Sequence, residues 1–76
     1  MKELVEFIAR SLVDETDGVR VTEQQRDRLR VLELRVAQAD LGKVIGRQGR
    51  TARAMRNLLA AACSKSGRRY SLDIID

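Results

Sequence analysis

The chain contains no histidine, no proline and no tryptophan, one cysteine, and only two aromatic residues, Phe7 and Tyr70. Without histidine it lacks the commonest general base and the commonest metal ligand. The residue types and spacings of a metal site are missing, and no pair of carboxylates sits in a pattern that implies a cleft. A phosphate-binding P-loop needs GxxxxGK[ST]. The stretch Gly42-Lys43-Val44-Ile45-Gly46-Arg47 has the wrong spacing and no Lys-Ser/Thr after its second glycine. We therefore expect neither an enzyme nor a cofactor. A single cysteine, Cys63, permits no internal disulfide and fits a reducing compartment. No run approaches the ~18 apolar residues that a membrane span requires. The start, Met1-Lys2-Glu3-Leu4, carries acid where a signal peptide is basic, so a cytoplasmic location is expected. Absent proline and only five glycines predict a chain of mostly regular elements.

Seventy-six residues suit one domain, residues 1–76, with a core modest enough that dimerisation would supplement it. Charge is what the chain has in plenty, and it is unevenly spread. Between Leu41 and Tyr70 stand Lys43, Arg47, Arg50, Arg53, Arg56, Lys65, Arg68 and Arg69, and no acidic residue. The remainder is net acidic, and the whole chain carries +4. A block of one sign points to an anionic partner, although many such blocks are merely solvated faces.

Residues 2–16 read as an amphipathic helix, with Leu4, Ile8 and Leu12 recurring every four residues and Phe7 widening the apolar face. Residues 19–24 and 29–37 alternate as strands joined by the polar turn Gln25-Arg26-Asp27-Arg28, which makes them an antiparallel hairpin. The alternation slips at Val31-Leu32, as at a bulge or a strand buried on both faces. A short helix over 40–46 follows, with Asp40 as its N-cap and Leu41, Val44 and Ile45 facing inward. The longest helix spans 50–65. Ala52, Met55, Leu58, Leu59, Ala62 and Cys63 gather on one side, and Arg50, Arg53, Arg56 and Asn57 on the other. Residues 69–75 alternate as a closing strand that runs parallel to 29–37 after the two-helix crossover. The order is α-β-β-α-α-β, an α+β fold with three strands and helices on one face.

Between the two later helices lies Gly46-Arg47-Gln48-Gly49. Glycine adopts backbone conformations that a Cβ forbids and lets another backbone approach. A helix opening just after such a bend presents free amides and a partial positive charge. On the glycines alone, a plain helix–turn–helix corner explains the motif. Arg47 and Arg50 beside it favour a phosphate clamp. Arg53 and Arg56, one and two turns on, fit either a phosphate contact or a solvated helix face. Lys65, Arg68 and Arg69 stand farther away. The scarcity of aromatic rings argues against a single-strand binder that stacks several bases. It predicts weak binding of low specificity. Phe7 is expected in the core, and packing is the expected role of Tyr70.

Val44-Ile45-Gly46-Arg47-Gln48-Gly49, set between two helices, resembles the signature of the KH domain, a GxxG loop after an apolar pair. The element order resembles the type II form of that fold. The length and the run from Gly46 to Arg56 resemble small single-domain bacterial KH proteins of the KhpA kind. That resemblance covers essentially the whole chain and implies binding of single-stranded RNA. The loop would clamp about four nucleotides, with bases in an apolar groove between helices and sheet. The residues it implicates are Lys43, Val44, Ile45, Gly46, Arg47, Gln48, Gly49, Arg50, Thr51 and Arg53. It further implies a homodimer, or pairing with a larger KH-containing protein, and a role as RNA chaperone or regulator linked to cell elongation and division. Neither a membrane nor a small-molecule substrate is implied. Many KH domains carry Ile three residues after the second glycine. Here that position is Ala52, which leaves more room or a closer helix contact. A second reading makes the Ala-rich helix 50–65 a protein-interaction module.

Overall fold

The computed structural model describes residues 1–67 and 69–75, with the side chains of 63–66 outside that description. Three α-helices and three strands follow the expected order: α1 (Lys2–Leu12), β1 (Arg20–Arg26), β2 (Leu29–Arg35), α2 (Leu41–Ile45), α3 (Arg50–Ser66) and β3 (Arg69–Ile75). Short 3₁₀ turns at Thr16–Gly18, Gln38–Asp40 and Arg47–Gly49 link them. The strands form one mixed sheet in the order β1-β2-β3, antiparallel between β1 and β2 and parallel between β2 and β3. This is the α+β arrangement of a type II KH fold.

Period-two alternation decides which side chains meet the helices. Val21, Leu34 and Ile74 share one row, and Leu32 and Leu72 another. These face the helices and join Val5, Ala9, Val44, Met55 and Leu59 in the core. The pairing of β1 with β2 is continuous, so the slip at Val31-Leu32 is no bulge. Both residues are buried, Leu32 against the helices and Val31 outside the main core cluster, so β2 is covered on both faces there. The central strand of a three-stranded sheet has neighbours on each side to do this.

Helix α1 departs from expectation in two ways. It ends at Leu12 instead of continuing to 16. Phe7 is 70% exposed and not part of the core. At 100° per residue, Phe7 lies on the opposite side of α1 from the buried Val5 and Ala9. Leu58 is likewise exposed, although its neighbour Leu59 is buried. The expectations for Cys63, Lys65 and Arg68 concern side chains outside the described residues. No helix among the described residues is long and apolar enough to cross a membrane.

Candidate nucleic-acid interface

The loop is built from a helix that stops abruptly at Ile45 and another that starts at Arg50, four residues lying between them. Val44 fixes α2 to the core, fully buried, while Ile45 remains 37% exposed beside the loop. Gly46 closes α2 by donating its amide to the Gly42 carbonyl at 2.8 Å. Its φ of 78° lies in the left-handed half of backbone space. A Cβ at this position would stand 2.6 Å from Thr51 Cβ and 2.8 Å from Thr51 N. Sterics therefore demand glycine here twice over, from φ and from the close approach of α3. Gly49 has φ 74° but open space around its missing Cβ. Between them Gln48 takes a left-handed conformation, φ 57° and ψ 27°, a strained choice for a residue other than glycine or asparagine.

Two amides are already used inside the turn. Gly49 donates to the Gly46 carbonyl at 3.1 Å, and Arg50 donates to the Arg47 carbonyl. The amides of Arg47 and Gln48 have no protein acceptor among the described residues, and both residues are exposed. Arg50 reaches the Gln48 side-chain oxygen at 3.4 Å. Among the described residues, no carboxylate pairs with Arg47, Arg50 or Arg53. Thr51 is half-buried behind Gly46, and Ala52 is buried beneath the first turn of α3.

Lys43 belongs to a different network. Its ammonium pairs with Asp14 and lies 3.4 Å from an Asp40 carboxylate oxygen. Asp40 is 2% exposed and gives no side-chain cap to α2. Instead its two oxygens accept the amides of Asp14 at 3.3 Å and Glu15 at 3.0 Å. The bond from Glu15 leads in holding the Asp40 carboxyl below the usual carboxylate range, with Asp14 and Lys43 adding to it against burial. The hydrogen bond to Asp14 leads in raising Lys43 above the usual lysine range. Lys43 therefore fastens the start of α2 to the chain leaving α1, whereas the other implicated residues cluster at the loop.

Two positions carry contacts that sequence reasoning did not foresee. Asp40 carries the anchor just described. Arg56 lies along β3 and donates from Nε and Nη2 to the Leu72 carbonyl at 3.3 and 3.2 Å. β3 is an edge strand, so that carbonyl is open to a side chain from α3. Arg56, Leu59, Tyr70, Ser71, Leu72 and Asp73 line a groove of about 380 Å³ beside it. No periodicity signals either contact, because each joins elements far apart in the chain. Among the described residues, no cluster of three or more His, Cys, Asp or Glu could hold a metal ion.

A model of the KhpA/KhpB KH domain matches residues 2–74. "RNA-binding protein KhpA" of Halalkalibacterium halodurans is 54% identical over 76 residues, covering all of both chains. The protein of the same name from Treponema pallidum is 52% identical over 99% of this chain and 94% of its own. That from Borreliella burgdorferi is 51% identical over 97% of this chain and 90% of its own. No solved structure gives a significant match. With the family model matching nearly the whole chain and the type II order present in the fold, the chain belongs to the KhpA/KhpB family of KH-domain proteins.

Proposed function

We propose that the chain binds single-stranded RNA, with little sequence preference, by gripping the sugar-phosphate backbone at Gly46–Gly49. The observation that carries this reading is the pair of unpartnered amides at the exposed residues Arg47 and Gln48, flanked by arginines that have no carboxylate partner among the described residues. Such amides form a small concavity for an anionic oxygen, and guanidinium groups add bidentate contacts. Ile45 floors the start of the base groove above the buried Val44, with Gly46, Gly49 and Thr51 shaping the bend. Arg47, Gln48, Arg50 and Arg53 meet the backbone, and Lys43 supports from behind. The names of the relatives agree with an RNA partner. In the cytoplasm, such a protein serves as an RNA chaperone or post-transcriptional regulator tied to cell elongation and division.

Binding through Arg47, Arg50 and Arg53 gives a logarithmic salt slope of about −2, each phosphate contact on a single strand contributing about 0.7. Titrating labelled oligouridine against the protein at several salt concentrations measures it. A flat salt response would refute the reading.

A second reading rests on α3. Leu58 is 52% exposed, and Ala54 and Ala61 are exposed one turn to either side of it. This face would pair two copies, or one copy with a larger KH-containing protein. Ala61→Trp should then abolish assembly in sedimentation runs while leaving RNA binding by the monomer intact.

A further inference from the structure

We propose that the bound strand continues beyond the loop to a second basic pole, where Arg26, Arg28 and Arg69 hold its phosphates. The inference rests on the RNA-binding reading above and extends it to a surface outside the GxxG loop.

The hairpin between β1 and β2 builds this pole. Arg26 pairs with Leu29 and Leu29 with Arg69, so the three share one row across the sheet. Arg26 and Arg69 stand on the same face, two strand spacings or about 10 Å apart. Asp27 and Arg28 form the two-residue turn, with Asp27 in a left-handed conformation, φ 57°. All three arginines are exposed. Among the described residues none of them has a carboxylate partner. Of the other cations in this half of the chain, Lys2 and Arg35 also lack a carboxylate partner among the described residues, and three are engaged. Arg10 pairs with Glu6, Arg30 with Glu23, and Arg20 donates to the carbonyls of Asp17 and Val19. Like charges gathered on neighbouring strands repel, and an anionic chain laid across them relieves that repulsion.

The pole is also in the right place. Helix α3 separates the loop from β3, and its 17 residues span about 26 Å. The long axis of the molecule is 34 Å. The loop and Arg69 therefore lie toward opposite ends. The groove lined by Arg56, Leu59, Leu72 and Tyr70 lies between them along the free edge of β3. A strand gripped at the loop and laid in this groove emerges at Tyr70, next to Arg69. Arg69, Leu29 and Arg26 face away from the helices, so the strand turns over the open edge of β3 to reach them.

The test compares labelled oligouridines of about five and about twelve nucleotides, the shorter only filling a loop that clamps about four. In the Arg26→Gln/Arg28→Gln/Arg69→Gln variant, affinity for the short oligomer should match the wild type. Affinity for the long one should fall about tenfold, and its salt slope should shrink by about 2. Arg28→Gln alone, at the turn tip, should shrink that slope by about 0.7. Wild-type affinity and slope of the triple variant on the long oligomer would overturn the proposal. So would equal losses on both lengths, since these report only the net charge. The loop variant Arg47→Asp/Gln48→Asp separates this outcome from failure of the RNA reading: if it binds the short oligomer normally, the clamp itself is refuted.

Discussion

The amide of Glu15 donates to Oδ2 of Asp40, 3.0 Å away and 25 residues on in the chain. With the neighbouring bond from Asp14 and the ion pair to Lys43, it ties the end of α1 to the start of α2. α2 has only five residues before the loop begins. The placement of the loop on the core therefore depends on this buried carboxylate as well as on Val44.

Asp40 makes stability depend on acid. Its folded carboxyl titrates below the ordinary value, so its stabilising contribution is complete above the unfolded carboxylate range near pH 4. It is lost as pH falls through the lower, folded value. Thermal unfolding followed by circular dichroism should show this acid limb in the wild type. Asp40→Asn should flatten the limb and lower the neutral-pH midpoint by about 5 °C or more.

The two loop glycines should respond differently to alanine. Gly46→Ala meets both a positive φ and the backbone of Thr51, at a cost of about 3 kcal/mol or more. Gly49→Ala meets only the positive φ, for roughly 1–2 kcal/mol. Urea denaturation of the two variants checks the order. Adding Thr51→Ala to Gly46→Ala should rescue little, because the Thr51 nitrogen remains in the way.

The two leucines of α3 and the phenylalanine of α1 separate apparent from actual core. Phe7→Ser should change stability by less than about 0.5 kcal/mol, since the ring is already in water. Leu59→Ala, at a side chain 2% exposed, should cost about 2–5 kcal/mol. Urea midpoints at constant slope measure both.

Lys43 and Arg47 should divide their effects in opposite ways. Lys43→Ala removes the cation that faces Asp14 and Asp40 and should lower thermal stability. Its effect on the salt slope of RNA binding should be well below the ~0.7 expected of a phosphate contact. Arg47→Ala should show the reverse: unchanged melting and a slope smaller by about 0.7.

Much of this molecule is legible from local pattern. β3 spans Arg69–Ile75 as its alternation indicates, and the two-helix crossover makes it parallel to β2. The signature Val44-Ile45-Gly46 with Gly49 marks the loop because glycine is what its backbone requires. The misreadings have physical causes. α1 stops at Leu12 because the amides of Asp14 and Glu15 are captured by Asp40, a tertiary contact that leaves no periodic trace. Asp40 looks like an N-cap from its position before α2, yet its oxygens turn toward α1. Hydrophobicity alone points Phe7 to the core, whereas its angle around the helix places it opposite Val5 and Ala9. The contact of Arg56 with the Leu72 carbonyl exists because β3 is an edge, which only the assembled sheet reveals.

On this reading the Gly46–Gly49 bend grips an RNA backbone, and the rest of the fold serves to hold that bend in place. The most direct measurement is the affinity of Arg47→Asp/Gln48→Asp for a labelled single-stranded RNA, by fluorescence anisotropy, beside a circular dichroism melt. Both side chains are exposed, so the melt should match the wild type. RNA affinity should fall by about a hundredfold or more, two carboxylates replacing a cation and a polar group at an anion site. Wild-type affinity in the folded variant would contradict it.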